Sequence, residues 1–279
     1  MHRSLIAPAA LAAFLIICLT ASSFAVVFAQ EPTPTIAAPK QDKNSKGRNF
    51  TAEQIVESAI FVYGSRVLLA QVRRNGVERG KICKPSCEAG KIEEASYERR
   101  FVRGESMEQD KIRLDQKMPT LEYSLIYGNG QLWGIINGAA FTPRQDAAAT
   151  FLTQHRRSLD NLLRYKENGS TLNLIGNDKQ KGLDLYVVDV TTKDKQTTRY
   201  FISAKTLSVL WLEYEETAPG GAKPMKYVRK FMDYRVAQGT RVPYRSMLLE
   251  NGTPIQETRI LTVTYSIKLD DALFKNPEA

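Results

Sequence analysis

Two stretches of the chain place apolar residues every three to four positions, and most of what separates and follows them alternates at every second position. The first begins at Phe50-Thr51-Ala52-Glu53-Gln54-Ile55, where Thr51 and Gln54 have the spacing of a capping box and Phe50 and Ile55 that of a hydrophobic staple. Ile55, Val56, Ala59, Ile60 and Tyr63 then form one stripe, Gly64 ends the helix, and the following SRVLLAQVR predicts a further helical turn or two. The second begins at Thr142-Pro143-Arg144-Gln145, with Thr142 as cap and Pro143 at the first helical position. Ala148, Phe151, Leu152, His155, Leu159, Leu162 and Leu163 share one face, which predicts a helix to about Tyr165, before the Asn168-Gly169 turn.

The period-two segments predict strands at 77–82, 92–102, 111–117, 121–127, 131–136, 171–175, 183–191, 198–203, 209–216, 225–234, 242–250 and 255–267. Asn129-Gly130 and Asn251-Gly252 sit between such runs as hairpin signals. The order predicts a long antiparallel meander with one helix before it and one inserted midway. Several strands are apolar on both faces, as in Leu183-Asp184-Leu185-Tyr186-Val187-Val188 and Val209-Leu210-Trp211-Leu212. Such strands suit either a sheet curled around a cavity or a sheet covered on both sides by its own elements.

Upstream of residue 50 the pattern changes. Residues 1–29 have a short basic start, an apolar core from Leu5 to Leu19, then small residues and the Val27-Phe28-Ala29 cleavage pattern, which read as a signal peptide cleaved after Ala29. Cys18 follows Ile16-Ile17, without the small residue that lipoprotein processing needs before the cysteine. Residues 30–49 are rich in Pro, Lys, Asn and Gln and poor in large apolar residues, so they read as a flexible leader. Residues 50–279 have the size of one domain, with no second composition break and no repeat. Export to the periplasm then makes nucleic acid a poor partner for the net charge of +9, and the basic residues are scattered through strand-like segments. Attraction to anionic lipid head groups is the functional reading of that charge that survives export.

Candidate chemistry is sparse. His155 is the sole histidine after signal removal and sits on a helix's apolar face, which excludes a two-histidine metal site and makes a catalytic triad improbable. Cys83 and Cys87 are spaced C-x-x-x-C around Lys84-Pro85-Ser86, with no helix pattern after them to activate a thiol. In an oxidising compartment they are expected to close a disulfide, a staple contributing roughly 2 kcal/mol by chain entropy. Glu93-Glu94, Glu215-Glu216 and Asp270-Asp271 are adjacent, so on a strand their carboxylates point to opposite faces. The glycines sit in turns such as Gly128-Asn129-Gly130 and Pro219-Gly220-Gly221, and form no phosphate loop. No catalytic set, metal site or cofactor site is expected.

The succession YFISAKTLSVLWLEYEE (200–216), KYVRKFMDYRVAQGTRVPYRSMLLENG (226–252) and YSIKLDDALFKNP (265–277) resembles the bacterial LolA-like family of outer-membrane lipoprotein-sorting proteins. The matching positions are Phe201–Thr206 for a strand and Lys-Thr hairpin, Phe231–Pro243 for a strand pair, and Leu269–Phe274 for the terminal L-D-D-x-L-F. The resemblance implies an α+β fold: an open antiparallel half-barrel with helices packed on its concave face. It implies a non-enzymatic periplasmic carrier or binder of lipid or lipoprotein acyl chains, monomeric and able to dock transiently to a membrane or membrane protein. The same fold also serves regulatory modules that bind a protein partner, which is the alternative. On this reading Phe151, Leu152, His155, Leu159 and Leu162 are candidates for the inner face of a lid, and Trp133, Trp211 and Tyr214 for the rim or wall. The Cys83/Cys87 turn lies outside the family's pattern.

Overall fold

The computed structural model describes residues 50–88, 93–217 and 223–276. The expected signal peptide, the leader, Ile92 and the Pro219-Gly220-Gly221 turn lie outside these residues. The strands are β1 (Asn75–Lys84), β2 (Glu93–Val102), β3 (Lys111–Lys117), β4 (Glu122–Gly128), β5 (Gln131–Ile136), β6 (Ala139–Phe141), β7 (Thr171–Gln180), β8 (Leu183–Thr191), β9 (Thr197–Ser203), β10 (Val209–Glu216), β11 (Met225–Ala237), β12 (Thr240–Glu250) and β13 (Thr253–Tyr265). They form one antiparallel sheet in the order β6-β5-β4-β3-β2-β1-β13-β12-β11-β10-β9-β8-β7. The first and last strands therefore meet in the interior of the sheet, and β6 and β7 are its two free edges. The result is an open half-barrel with helices on its concave face.

The helices are α1 (Ala52–Tyr63), α2 (Arg66–Val72), α3 (Gln145–Arg156) and α4 (Leu159–Leu163). Both halves of the capping box at Thr51 and Gln54 are made, and α1 buries the stripe expected of it. Phe50 meets the ring of Tyr186 edge-on, at 6.2 Å between centroids. Gly64 turns the chain into α2 with φ +129°, and a Cβ there would lie 3.3 Å from the Gly239 carbonyl, so conformation and space both favour glycine. Tyr63 fixes the far end of α1: its hydroxyl meets that of Tyr234 at 2.8 Å and accepts from the Val209 N–H at 3.2 Å. Val209 lies at a register irregularity between β9 and β10, so this contact satisfies a backbone group that the ladder leaves free.

Three expectations need correction. The inserted helix breaks in two at Arg157-Ser158, where Ser158 has extended backbone. Tyr200 donates to the Ser158 carbonyl at 2.8 Å, and the buried Arg157 donates to the Thr197 carbonyl at 2.6 Å. Sheet contacts at the break thus replace helical hydrogen bonds. The helix also starts later than Thr142, with Arg144 as its cap residue and no side-chain cap bond. Finally, β6 was absent from the expected strands, and β7 extends to Gln180 through a bulge at Gly176, whose φ of +150° a side chain would strain.

The sheet is filled in one part and hollow in another. Against β8–β11, side chains from α1, α2 and α4 form the main core with Val188, Val190, Tyr200, Ile202, Val209, Leu212 and Phe231. The alternate positions Leu185, Val187 and Phe201 pack on the opposite face with Ile175, Leu210 and Trp211. The doubly apolar strands noted in the sequence therefore bury both faces here. Over β2–β4 and β12–β13, a smaller core of Phe101, Ile112, Tyr127, Val242 and Tyr265 is met by Phe151 and Leu152 of α3, and space remains.

Candidate ligand-binding cavity

Period-two geometry builds this space. Tyr97, Arg99 and Phe101 of β2, Ile112, Leu114 and Gln116 of β3, Tyr123 and Leu125 of β4, and Gln256, Thr258 and Ile260 of β13 alternate onto one face. With Arg229 and Phe231 of β11, Val242 and Ser246 of β12, and α3 above, they enclose a cavity of about 550 Å³. That volume falls within the range of about 300–1,000 Å³ typical of sites for one small ligand.

The lining is part apolar and part charged. Arg73 is buried, donating to the Thr240 hydroxyl at 3.1 Å and the Arg241 carbonyl at 2.6 Å. Arg103 pairs with Asp160 at 2.7 Å, while its Nε has no hydrogen-bond partner among the described residues. Burial alone would raise the Asp160 pKa, but Arg103, Arg73, Arg164 and Arg99 together hold it well below the usual carboxylate range. Arg99 lies over the Phe101 ring at 4.8 Å. Burial pulls the Arg229 pKa down, an effect that Tyr214 and Tyr200 partly oppose.

A polar latch joins the helices to the segment between β2 and β3. Arg164, after α4, donates to both carboxylate oxygens of buried Asp110 at 3.0 and 2.9 Å and to the Gly104 carbonyl at 2.8 Å. His155 reaches the Met107 carbonyl at 3.1 Å and lies 3.5 Å from Asp110. Burial pushes its pKa down, Asp110 pulls it up and Arg99 pushes it down again, with a net fall. His155 is thus a neutral donor at neutral pH, with no nucleophile among its hydrogen-bond partners.

Of the residues singled out from sequence, Phe151, His155 and Leu159 line the cavity. The other five are not among the lining residues. Leu152 packs into the small core. Leu162 is fully buried under α1, because the break after Arg156 turns α4 toward β8–β11. Tyr214 belongs to the same core and stacks on Tyr227 at 5.2 Å. Trp211 falls on the other face, stacked on Phe201 at 4.5 Å, since the irregularity after Val209 shifts its parity. Trp133 is half-buried on β5, its indole N–H without a hydrogen-bond partner among the described residues. Arg99 and Arg229 were missed because a strand arginine is ordinarily a solvated one.

Cys83 and Cys87 are disulfide-bonded. The loop they close sits beside Glu257, whose side chain is 0 % exposed and accepts from the Ser86 hydroxyl at 2.7 Å, the Cys87 N–H at 3.0 Å, Arg245 at 2.7 Å and Arg259 at 2.6 Å. Glu257 and Arg259 alternate with the cavity-facing Gln256, Thr258 and Ile260, so this cluster lies on the outer face.

Three solved structures share the architecture. A DUF1329 family protein from Desulfovibrio piger is 13% identical with a TM-score of 0.57, over 82% of this chain and 99% of that one. A LolA superfamily protein from Nitrosomonas europaea is 12% identical with a TM-score of 0.56, over 83% and 100%. A domain described as an outer-membrane lipoprotein-sorting protein from Vibrio parahaemolyticus is 12% identical with a TM-score of 0.50, over 78% and 97%. At these identities the likeness defines the fold, which is LolA-like. No protein-family model and no curated protein matches the chain.

Proposed function

We propose that this protein is a periplasmic, non-enzymatic carrier or binder of a lipid or lipoprotein acyl chain. The observation that carries the reading is the cavity of about 550 Å³ between the concave sheet and α3, with apolar walls at Phe101, Ile112, Leu114, Leu125, Phe151 and Phe231. Extracting an acyl chain of about fifteen methylenes from a membrane costs roughly 12 kcal/mol at about 0.8 kcal/mol per methylene. A carrier makes that transfer nearly neutral by offering comparable apolar surface, and α3 is the element that would have to move to admit the chain.

Purified from the periplasm and extracted with organic solvent, the protein should release lipid, and once delipidated it should bind a fluorescent fatty acid. An empty extract together with no probe binding would sink the proposal. The double variant Cys83→Ser/Cys87→Ser should bind the probe equally well, because the disulfide is on the opposite face. Loss of function there would favour thiol chemistry instead.

A further inference from the structure

The two faces of the sheet treat their arginines differently. On the outer face Arg100 and Arg113 pair with Asp115, Arg79 with Glu98, Arg199 with Asp189, and Arg245 and Arg259 with Glu257. On the cavity face Arg99 and Arg229 have no hydrogen bond or ion pair among the described residues. Arg99 lies over the ring of Phe101 and acts on Asp160 only through space, since Arg103 holds that carboxylate.

The nearby acids are already engaged. Asp160 holds Arg103, and Asp146 holds Arg144 at 2.6 Å. Glu78, directly across from Arg99 on β1, accepts from the Tyr97 hydroxyl at 2.5 Å and keeps its charge, which the balance below includes. Five cations line the cavity, Arg73, Lys84, Arg99, Arg103 and Arg229, against three acids, Glu78, Asp146 and Asp160. A guanidinium does not shed its proton to escape burial, so the excess charge persists. Arg99 and Arg229 are half-buried, and excess charge held against apolar walls is stabilised when an anion neutralises it.

Resting on the acyl-binding reading above, we infer that the ligand is an amphiphile with one anionic headgroup, a carboxylate or a phosphate monoester. The headgroup is drawn inside the cavity toward this excess of positive charge, to which the unpaired guanidinia of Arg99 and Arg229 both contribute, while the chain lies along the apolar wall. A headgroup-inward ligand accounts for why these arginines face inward at all. A ligand that buried only its chain would be served better by leucines at both positions.

The test uses delipidated protein and displacement of a neutral fluorescent acyl probe by three ligands of equal chain length: hexadecanoic acid, hexadecyl phosphate and hexadecanol. At least one of the two anions should bind about tenfold more tightly than the alcohol, and which one does so identifies the headgroup. Arg99→Gln/Arg229→Gln should bring the anions to the alcohol's affinity while leaving the alcohol unchanged. Equal affinity of all three for the unaltered protein, or a preference that survives in the double variant, overturns the inference and leaves acyl binding standing. Failure of all three to bind overturns acyl binding and this inference with it. The comparison on the unaltered protein decides the matter even where the double variant does not fold.

Discussion

Glu257 is a carboxylate with no solvent exposure, and its environment supplies what burial demands. Burial by itself would raise its pKa, but hydrogen bonds from Arg259, Ser86, Cys87 and Arg245 bring it down to about 2, from an ordinary 4.5. The folded pKa lies below the unfolded one, so the stabilisation is fully present above about pH 4.5 and is lost as pH falls toward 2. Glu257→Gln should cost roughly 2 kcal/mol at neutral pH, because it replaces charge-assisted hydrogen bonds to a buried carboxylate and leaves Arg245 and Arg259 with only Glu88 as counter-charge. Urea denaturation from pH 7 to pH 2 checks this: the gap between the two proteins should be widest at neutral pH and close through the acid range. A constant gap would mean that packing, not charge, is what the substitution removes. The disulfide that Glu257 supports was legible in the sequence, because the spacing of Cys83 and Cys87 and the reading of residues 1–29 as a signal peptide are both local. Glu257 was not legible, because Ser86 and Cys87 are some 170 residues away and meet it only through β1–β13 pairing.

At the scale of elements, strong periodicity carried over and short or competing signals did not. The capping box at Thr51 and the strands with clear alternation appear where expected, whereas β6, with three residues, is too short to establish a period. The continuous apolar stripe from Ala148 to Leu163 predicted one helix because nothing local breaks it. The break is imposed by Arg157 and Tyr200 across a sheet contact, as tertiary structure overriding a local pattern. Its consequence is a division of labour: α4 is committed to the main core, while α3 buries no residue fully and covers the cavity. The Arg164–Asp110 pair holds this unit to the segment after β2, so it controls how readily α3 lifts. Asp110→Asn should leave buried Arg164 with only Glu167, at 3.9 Å, as counter-charge and speed amide hydrogen exchange through α3 more than through α1. Equal acceleration in both helices would make the pair a general stabiliser and not a latch on α3.

For the whole molecule, the main point is that one continuous sheet supports two environments. Where α1, α2 and α4 lie on β8–β11, packing is complete and the fold gains its stability. Where α3 spans the curve of β1–β4 and β11–β13, side chains stop short of meeting and leave a ligand-sized space. The two functions should therefore separate under mutation. Leu162→Ala, in the filled part, removes a side chain with 0 % exposure and should cost about 2–5 kcal/mol with little change in acyl-probe affinity. Leu125→Trp, in the hollow part, places extra volume into existing space, so it should weaken probe binding about tenfold while shifting Tm by no more than a few degrees. Thermal denaturation and probe titration on the same two variants distinguish the outcomes. If Leu125→Trp destabilised the fold as much as Leu162→Ala does, the space under α3 would be a core that closes in solution. If instead each variant moves only its own observable, the sheet's curvature is what lets this chain keep a cavity open without a cost in stability.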